Sequence, residues 1–264
     1  MNSIDSNLPS RFERPSIVKI ILLFLFACFL VESFRAAEVS LRSLIEGIPY
    51  MGEMFSEMLP PDFSRGRAIS IALLQTFQMA FVGAFLGIVI SIPLAICASK
   101  SHSPNSIVYY ISRLLVSLFR TVPDLIWALV FVIAVGVGPF AGTLALMIDT
   151  IGFCGRFFAE AMEEVPKEPQ EGLTAIGASR LSVIFCAVFP AALPSIINSS
   201  LFSIEKATRS SVVLGLVGAG GIGVELSVAM NTFHYAQAAS IILCILVLVL
   251  IVENISQRIR RKVM

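Results

Sequence analysis

The feature that most restricts this chain is a series of long apolar runs with almost no charge inside them. A helix needs about 20 mostly apolar residues to cross ~30 Å of hydrocarbon. Six stretches approach that length: Ile17 to about Phe34, Ile69 to Ala98, Ile107 to Val135, Gly138 to about Phe158, Leu181 to Ile204 and Ala236 to Val252. The third is interrupted by Arg113, Arg120 and Pro123, and the fourth carries Asp149. Hydrophobic residues make up 56% of the chain and charged residues 14%, against roughly 25% charged in ordinary soluble proteins. A water-soluble fold could not hide so much apolar surface, which excludes a soluble enzyme, a nucleic-acid reader and a disordered scaffold. The expected fold is an all-α membrane protein with about six transmembrane helices. Residues 1–66 would hold a cytoplasmic N-terminus, the first helix and an outer amphipathic segment. Residues 67–264 would form a core of five spans.

Positively charged residues set the expected orientation. With the N-terminus inside, the cytoplasmic side receives Arg11, Arg14, Lys19, Lys100, Arg156, Lys167, Arg180, Arg258, Arg260, Arg261 and Lys262, and the other side only Arg35, Arg42, Arg65 and Arg67. Both termini are therefore expected in the cytoplasm, as is the segment between the fourth and fifth spans. The first run, with Arg11, Arg14 and Lys19 before it and Ala36-Ala37 after it, also has the layout of a signal peptide. Further spans follow, so an uncleaved anchor explains the same residues. Between Glu38 and Gly66, the spacing of Leu41, Leu44, Ile45 and Ile48 predicts an amphipathic helix lying in the outer interface.

The net charge of +1 provides no field for polyanions, so no nucleic-acid partner is expected. Cys28, Cys97, Cys154, Cys186 and Cys244 all lie in apolar stretches without a C-x-x-C pair, and read as small buried hydrophobes. His102 and His234 are too few for a metal cage and read as loop or interface residues. No cofactor or metal is expected.

The segment at about 158–182 is the most informative. Glu160, Glu163, Glu164, Glu168 and Glu171 make it acidic, and Pro166 and Pro169 interrupt the helix leaving the membrane. A new short helix can begin near Gln170, and Gly177 allows a sharp bend after it. Held parallel to the membrane by two spans, such a helix can act as a lever docked in a groove of a cytosolic partner. A solvated loop with ordinary helix breakers accounts for this segment equally well. Glu171, Gly177 and Pro190 stand at the spacing of the "EAA" loop of binding-protein-dependent ABC-transporter permeases of the MetI-like type, and the segment resembles that loop. In such permeases the loop forms the coupling helix that docks on the ATP-hydrolysing subunit. The pattern departs where Gly172 and Leu173 replace two alanines, and where Ala187 and Phe189 stand in place of the usual Ile and Leu.

From Leu214 to Glu225 the chain contains a formal G-x-G-x-x-G at Gly218, Gly220 and Gly223. A dinucleotide site would need a preceding strand and an acid about 20 residues later. This run instead lies between two spans. Nor is there a G-x-x-x-x-G-K-[ST] for a phosphate loop, so ATP would have to be used by a partner. Gly215, Gly218, Gly220, Gly221 and Gly223 are expected to form a bent, closely packed non-helical backbone, a gate or hinge beside a pathway. Arg209-Ser210, Val213-Leu214-Gly215, Val217 to Gly223, Gly136 to Gly142 and Pro61-Asp62-Phe63 look like the corresponding segments of phosphonate-transporter permeases, over about residues 60–264. Relatives of that family import phosphite or hypophosphite. The resemblance implies a homodimer of this chain, two cytosolic ABC ATPase subunits, a periplasmic or lipid-anchored substrate-binding protein, and a place in the bacterial inner membrane.

Ionisable groups inside spans are costly and are functional candidates. An arginine fork suits a tetrahedral oxyanion, so Arg120 and Arg209 are candidates for an anion pathway, with Asp149, Glu205 and Lys206 as supporting charges near or at the end of the spans. Structural roles compete: Glu205 and Arg209 are four apart and can pair on one helical face, and Arg120 can pair with Asp149. The rival function is an ion-coupled secondary carrier for a small anion, working through Asp149 or Glu205. Six spans leave little room for the paired repeats such carriers commonly use. A membrane enzyme would need a motif such as H-E-x-x-H or G-x-S-x-G, and the sequence has neither.

Overall fold

The computed structural model describes residues 16–263, and all regular structure among them is helical. Arg11 and Arg14, counted above toward the cytoplasmic side, lie outside the described residues. The described chain divides into two units between Phe55 and Ser56.

The first unit holds α1 (Ile17–Ala36) and all but the last two residues of α2 (Leu41–Glu57). In α1 the apolar residues surround the axis, and Phe24, Phe26 and Phe29 are all exposed, as suits a helix solvated by lipid. In α2, Leu41, Leu44, Ile45 and Ile48 share one side. Arg42 and Glu46 lie on another and are paired at 2.7 Å.

The second unit is a bundle built around α6 (Pro139–Glu163), the helix with the largest number of buried positions. It packs on α3 (Gly66–Ala98) through small residues. A Cβ on Gly83 or Gly87 would lie within 3 Å of α6 atoms at Leu146 and Thr150 respectively, so only glycine lets the two backbones come this close. Ala80 and Ala84, both buried, extend the same contact. Three buried layers are stacked along the bundle. One contains Ala95, Val116, Phe158, Met162, Val188 and Ile196. A middle one contains Met79, Leu146, Ala207 and Leu214, and a third Ile69, Ile222, Ala238 and Ile241.

Two of the expected spans need correction. Ile107–Val135 is not one straight crossing. It forms α4 (Ser106–Thr121) and α5 (Asp124–Val135), which meet at 92°. Asn105 caps α4, its side chain accepting from Val108 N at 2.8 Å. At the other end, clash with the Pro123 ring keeps Val122 extended, with φ −78° and ψ 121°, and the helix cannot continue in line.

The fifth span is also longer than its apolar run suggested. It extends from Arg180 to Leu216 as α8 (Arg180–Val183), a π-helical turn at Ile184–Val188, and α9 (Phe189–Leu216). Pro190 has no N–H to donate and its ring crowds the carbonyl of Cys186, so the turn widens. Glu205, Lys206 and Arg209 therefore do not close this helix but lie within it, because Glu205 and Lys206 find partners on neighbouring helices.

The chain then turns through the glycine run into a short helix, α10 (Ile222–Asn231), and ends in α11 (Tyr235–Val263). Between α6 and α8 lies α7 (Glu168–Ala175). Of the cysteines only Cys154 is buried; Cys97 and Cys244 are half-buried, and Cys28 and Cys186 are exposed. The expectation of buried cysteines thus fails for Cys28 and Cys186 and holds in part for Cys97 and Cys244, the latter packed against the Ile69–Ile222 layer.

Candidate functional site

The short helix expected in the acidic segment is α7, and it starts at Glu168 rather than near Gln170. Pro169 falls in its first turn, where a missing N–H costs nothing. Glu168 and Glu171 are also in that turn, where negative charge suits the helix dipole. At the far end Gly177 has φ +87°, a left-handed conformation that L side chains adopt only at a cost. Its N–H donates to Thr174 O, and that of Ala178 to Leu173 O, each at 3.0 Å, which closes the helix. Nothing crowds the position of a Cβ at Gly177, so the requirement there is conformational rather than spatial.

Two side-chain ties hold α7 and its exit to the loop between α3 and α4. His102, only 5% exposed, has Nδ1 2.9 Å from Ser99 Oγ and Nε2 3.3 Å from Gln170 Oε1. Arg180 Nη1 donates to Ser103 O at 2.9 Å and to Pro104 O at 3.2 Å. Lys100 N also donates to Glu163 Oε1 at 2.6 Å, joining the same loop to the end of α6. Beneath α7 lies a cavity of about 380 Å³ lined by His102, Glu163, Lys167, Glu171, Thr174 and Arg180 among others. The outer residues Glu171, Gly172, Ala175 and Ile176 are exposed. Pro190 is not part of this loop. It sits in α9 beyond the widened turn.

The glycine run folds into a tight connection between α9 and α10. A Cβ on Gly223 would collide with Val212 O and Gly215, and Gly221 adopts φ +75° against Thr76 of α3. Thr76 Oγ1 accepts the Ile222 N–H at 2.7 Å. Gly138 N donates to Gly218 O at 3.0 Å. The run is thus pinned to α3 and to the start of α6, and Gly215, Gly218, Gly220, Gly221 and Gly223 are gathered in one packed turn.

The internal charges pair differently from the expectation. Asp149, 8% exposed, accepts from Lys206 Nζ at 2.8 Å, and this ammonium also lies 5.5 Å from the centre of the Phe153 ring. Asp149 therefore pairs with Lys206 and not with Arg120. Glu205, 6% exposed, pairs with Arg260 of α11 rather than with Arg209. Arg209 is exposed and has no ion-pair partner among the described residues. Arg120 is exposed too, its guanidinium 5.9 Å from the Phe157 ring centre.

Sequence reasoning missed two companions of Arg120. Arg113 and Arg156 line one cavity with it. Arg113 and Arg120 are seven residues apart, two turns on one helix face, which was a usable signal. The nearness of Arg156 is tertiary. The ties made by His102, Gln170 and Arg180 were also missed, since they join segments far apart in sequence.

At the other end of the bundle, Pro61-Asp62-Phe63 is fastened to the start of α11. Asp62 N donates to Ala236 O at 3.0 Å, and Gln237 Nε2 donates to Asp62 Oδ2 at 3.3 Å. The Ser64 N–H, with its hydroxyl, holds the Asp62 carboxyl below its ordinary range. Arg65 and Glu225 pair nearby at 3.2 Å.

Comparison with known proteins adds to this geometry. A family model described as "Binding-protein-dependent transport system inner membrane component" matches residues 87–264. The chain is 36% identical over 237 residues to the phosphite transport system permease protein PtxC of Stutzerimonas stutzeri, covering 90% of this chain and 84% of that protein. It is 38% identical over 210 residues to the phosphate-import permease protein PhnE of Mycolicibacterium smegmatis, covering 79% of this chain but 40% of the longer relative. Among solved structures, a chain of the MetNI methionine ABC transporter in an inward-facing conformation superposes with a TM-score of 0.64, over 73% of this chain and 94% of that one, at 24% identity. At that identity the likeness concerns the fold.

Proposed function

This chain belongs to the family of binding-protein-dependent transport system inner membrane components, and from that premise we propose that it is the permease subunit of an ATP-driven importer of small phosphorus oxyanions. The named relatives handle phosphite and phosphate; the proposed range is phosphite, hypophosphite and phosphonates, with phosphate as a competitor to be tested. The chain is a multi-pass inner-membrane protein with both termini in the cytoplasm. Two copies would assemble with two cytosolic ABC ATPase subunits and receive substrate from a periplasmic or lipid-anchored binding protein. ATP is used by the partner, and the permease performs no chemistry on its cargo.

The observation that carries this reading is the construction of α7. Its inner side is tied to the bundle through Gln170–His102 and, just beyond it, Arg180–Ser103, while Glu171, Gly172 and Ile176 are left exposed. A solvated loop would not need those ties; a handle that transmits force does. Closure of the ATPase pair on ATP would displace α7, and the ties would pass the displacement to α3, α6 and the long α8–α9 helix. The glycine turn at Gly215–Gly223, pinned to Thr76, is the hinge or gate about which the far ends would part. Arg120 and Arg209 are the proposed pathway cations, with the Asp149–Lys206 and Glu205–Arg260 pairs as supporting charges. The ion-coupled carrier is set aside, since Asp149 and Glu205 each already hold a cation and the family depends on a binding protein.

The test is uptake of phosphite into vesicles containing this chain, its ATPase and its binding protein. Uptake should require all three and ATP. Uptake by this chain alone, driven by an ion gradient, would refute the proposal.

A further inference from the structure

We infer that the cavity lined by Arg113, Arg120 and Arg156 is a transient binding station for the transported oxyanion, placed between the middle of the bundle and the coupling helix. The inference rests on the proposed function and names a site within it.

The cavity holds about 290 Å³ and is bounded by these three arginines with Val116, Ser117 and Thr121, near the lower end of the ~300–1,000 Å³ typical of ligand clefts. Arg113 and Arg120 have no carboxylate partner among the described residues; Arg113 Nη1 donates only to Ala98 O at 3.3 Å. Arg156 is paired with Glu160, so the group has two uncompensated positive charges and one compensated. Arg113 also lies 5.9 Å from the Tyr109 ring centre, as Arg120 does from Phe157. These rings steady the planar guanidinium groups without using their N–H donors. Thr121 Oγ1 donates to Ser117 O, and the Ser117 hydroxyl has no hydrogen-bond partner among the described residues.

Arginines on a spanning segment do not face hydrocarbon. They face other protein or water. With no carboxylate partner among the described residues, Arg113 and Arg120 present guanidinium donors, of which only Arg113 Nη1 is engaged, with Ala98 O, in a fork geometry that matches a tetrahedral oxyanion. Its position is informative as well. Arg156 precedes Glu163, at the end of α6, by seven residues, about 10 Å along a helix. Arg113 reaches Ala98, next to the loop that holds α7. An anion held here would lie close to the element that ATP is proposed to move. A conducting site must attract its ion yet release it, and an open cluster exposed on one side suits that better than an enclosed cage.

The experiment uses the complete transporter in vesicles, with phosphite as probe, and measures uptake and binding-protein-stimulated ATP hydrolysis on the same preparations. Arg113→Gln and Arg120→Gln are each expected to lower uptake at least about tenfold, the loss from one charge-assisted hydrogen bond, while ATP hydrolysis continues. The lysine variants, which keep the charge and lose the fork, should fall between these and the unaltered protein. Unchanged uptake in both glutamine variants would overturn the station and leave the permease assignment intact. If a glutamine variant does not accumulate, Arg120→Lys decides: uptake reduced several-fold supports the station, and uptake equal to the unaltered protein refutes it. Absence of phosphite uptake by the unaltered transporter, with ATP hydrolysis proceeding, would instead refute the proposed substrate class and the station with it.

Discussion

Single residues in this bundle are constrained more by their partners than by their type. Asp149 and Lys206 are 57 positions apart and meet at 2.8 Å. Removing one charge leaves the other partly desolvated, at a cost below the ~3–5 kcal/mol of a fully buried pair, since the lysine side chain is 36% exposed. We expect Asp149→Asn and Lys206→Met each to destabilise by about 2 kcal/mol and the double variant by clearly less than their sum. Thermal unfolding of the detergent-purified protein measures both. Additive losses would show that the pair is not coupled. The sequence marked both residues as important but could not pair them. Helical spacing offers only partners three or four residues away, so Glu205 with Arg209 was the visible choice and Arg260, 55 positions on, was not. The arginine cavity was hidden for the same reason, although the two-turn spacing of Arg113 and Arg120 was in plain view.

At the scale of elements, apolar length located the helices well and their direction poorly. Transfer energy grows with the apolar surface of a segment and carries no information about its path, so Ile107–Val135 scored as one crossing despite its 92° corner. The signal for that corner was local: Pro123 and the extended residue before it. The α8–α9 helix shows the opposite error, since charges that looked like a terminus are satisfied laterally. The proline signals in the acidic segment did locate α7 to within two residues. Its anchoring by His102, Gln170 and Arg180 could not be read without the fold. Those anchors are the testable part. Arg180→Ala removes two charged hydrogen bonds at the exit from α7, a change of about 1–2 kcal/mol after discounting for exposure. Uptake should fall several-fold while ATP hydrolysis by the assembled transporter persists, because the handle still docks but moves the bundle less. Equal loss of both activities, with normal assembly, would mean that Arg180 serves docking rather than transmission.

For the whole molecule, one physical idea joins the parts. In the proposed importer, a sparsely charged helical bundle with no G-x-x-x-x-G-K-[ST] in its sequence would take its work from a partner ATPase, and α7 is the element proposed to receive it. Its outer edge ends in Ile176, an apolar side chain 80% exposed beside the left-handed Gly177. The most direct measurement is to place a photo-crosslinking residue at Ile176 in the assembled, membrane-embedded transporter. The account predicts an adduct between this chain and the ATPase subunit. An adduct with the binding protein on the opposite face, or none to any subunit in either nucleotide state, would contradict it.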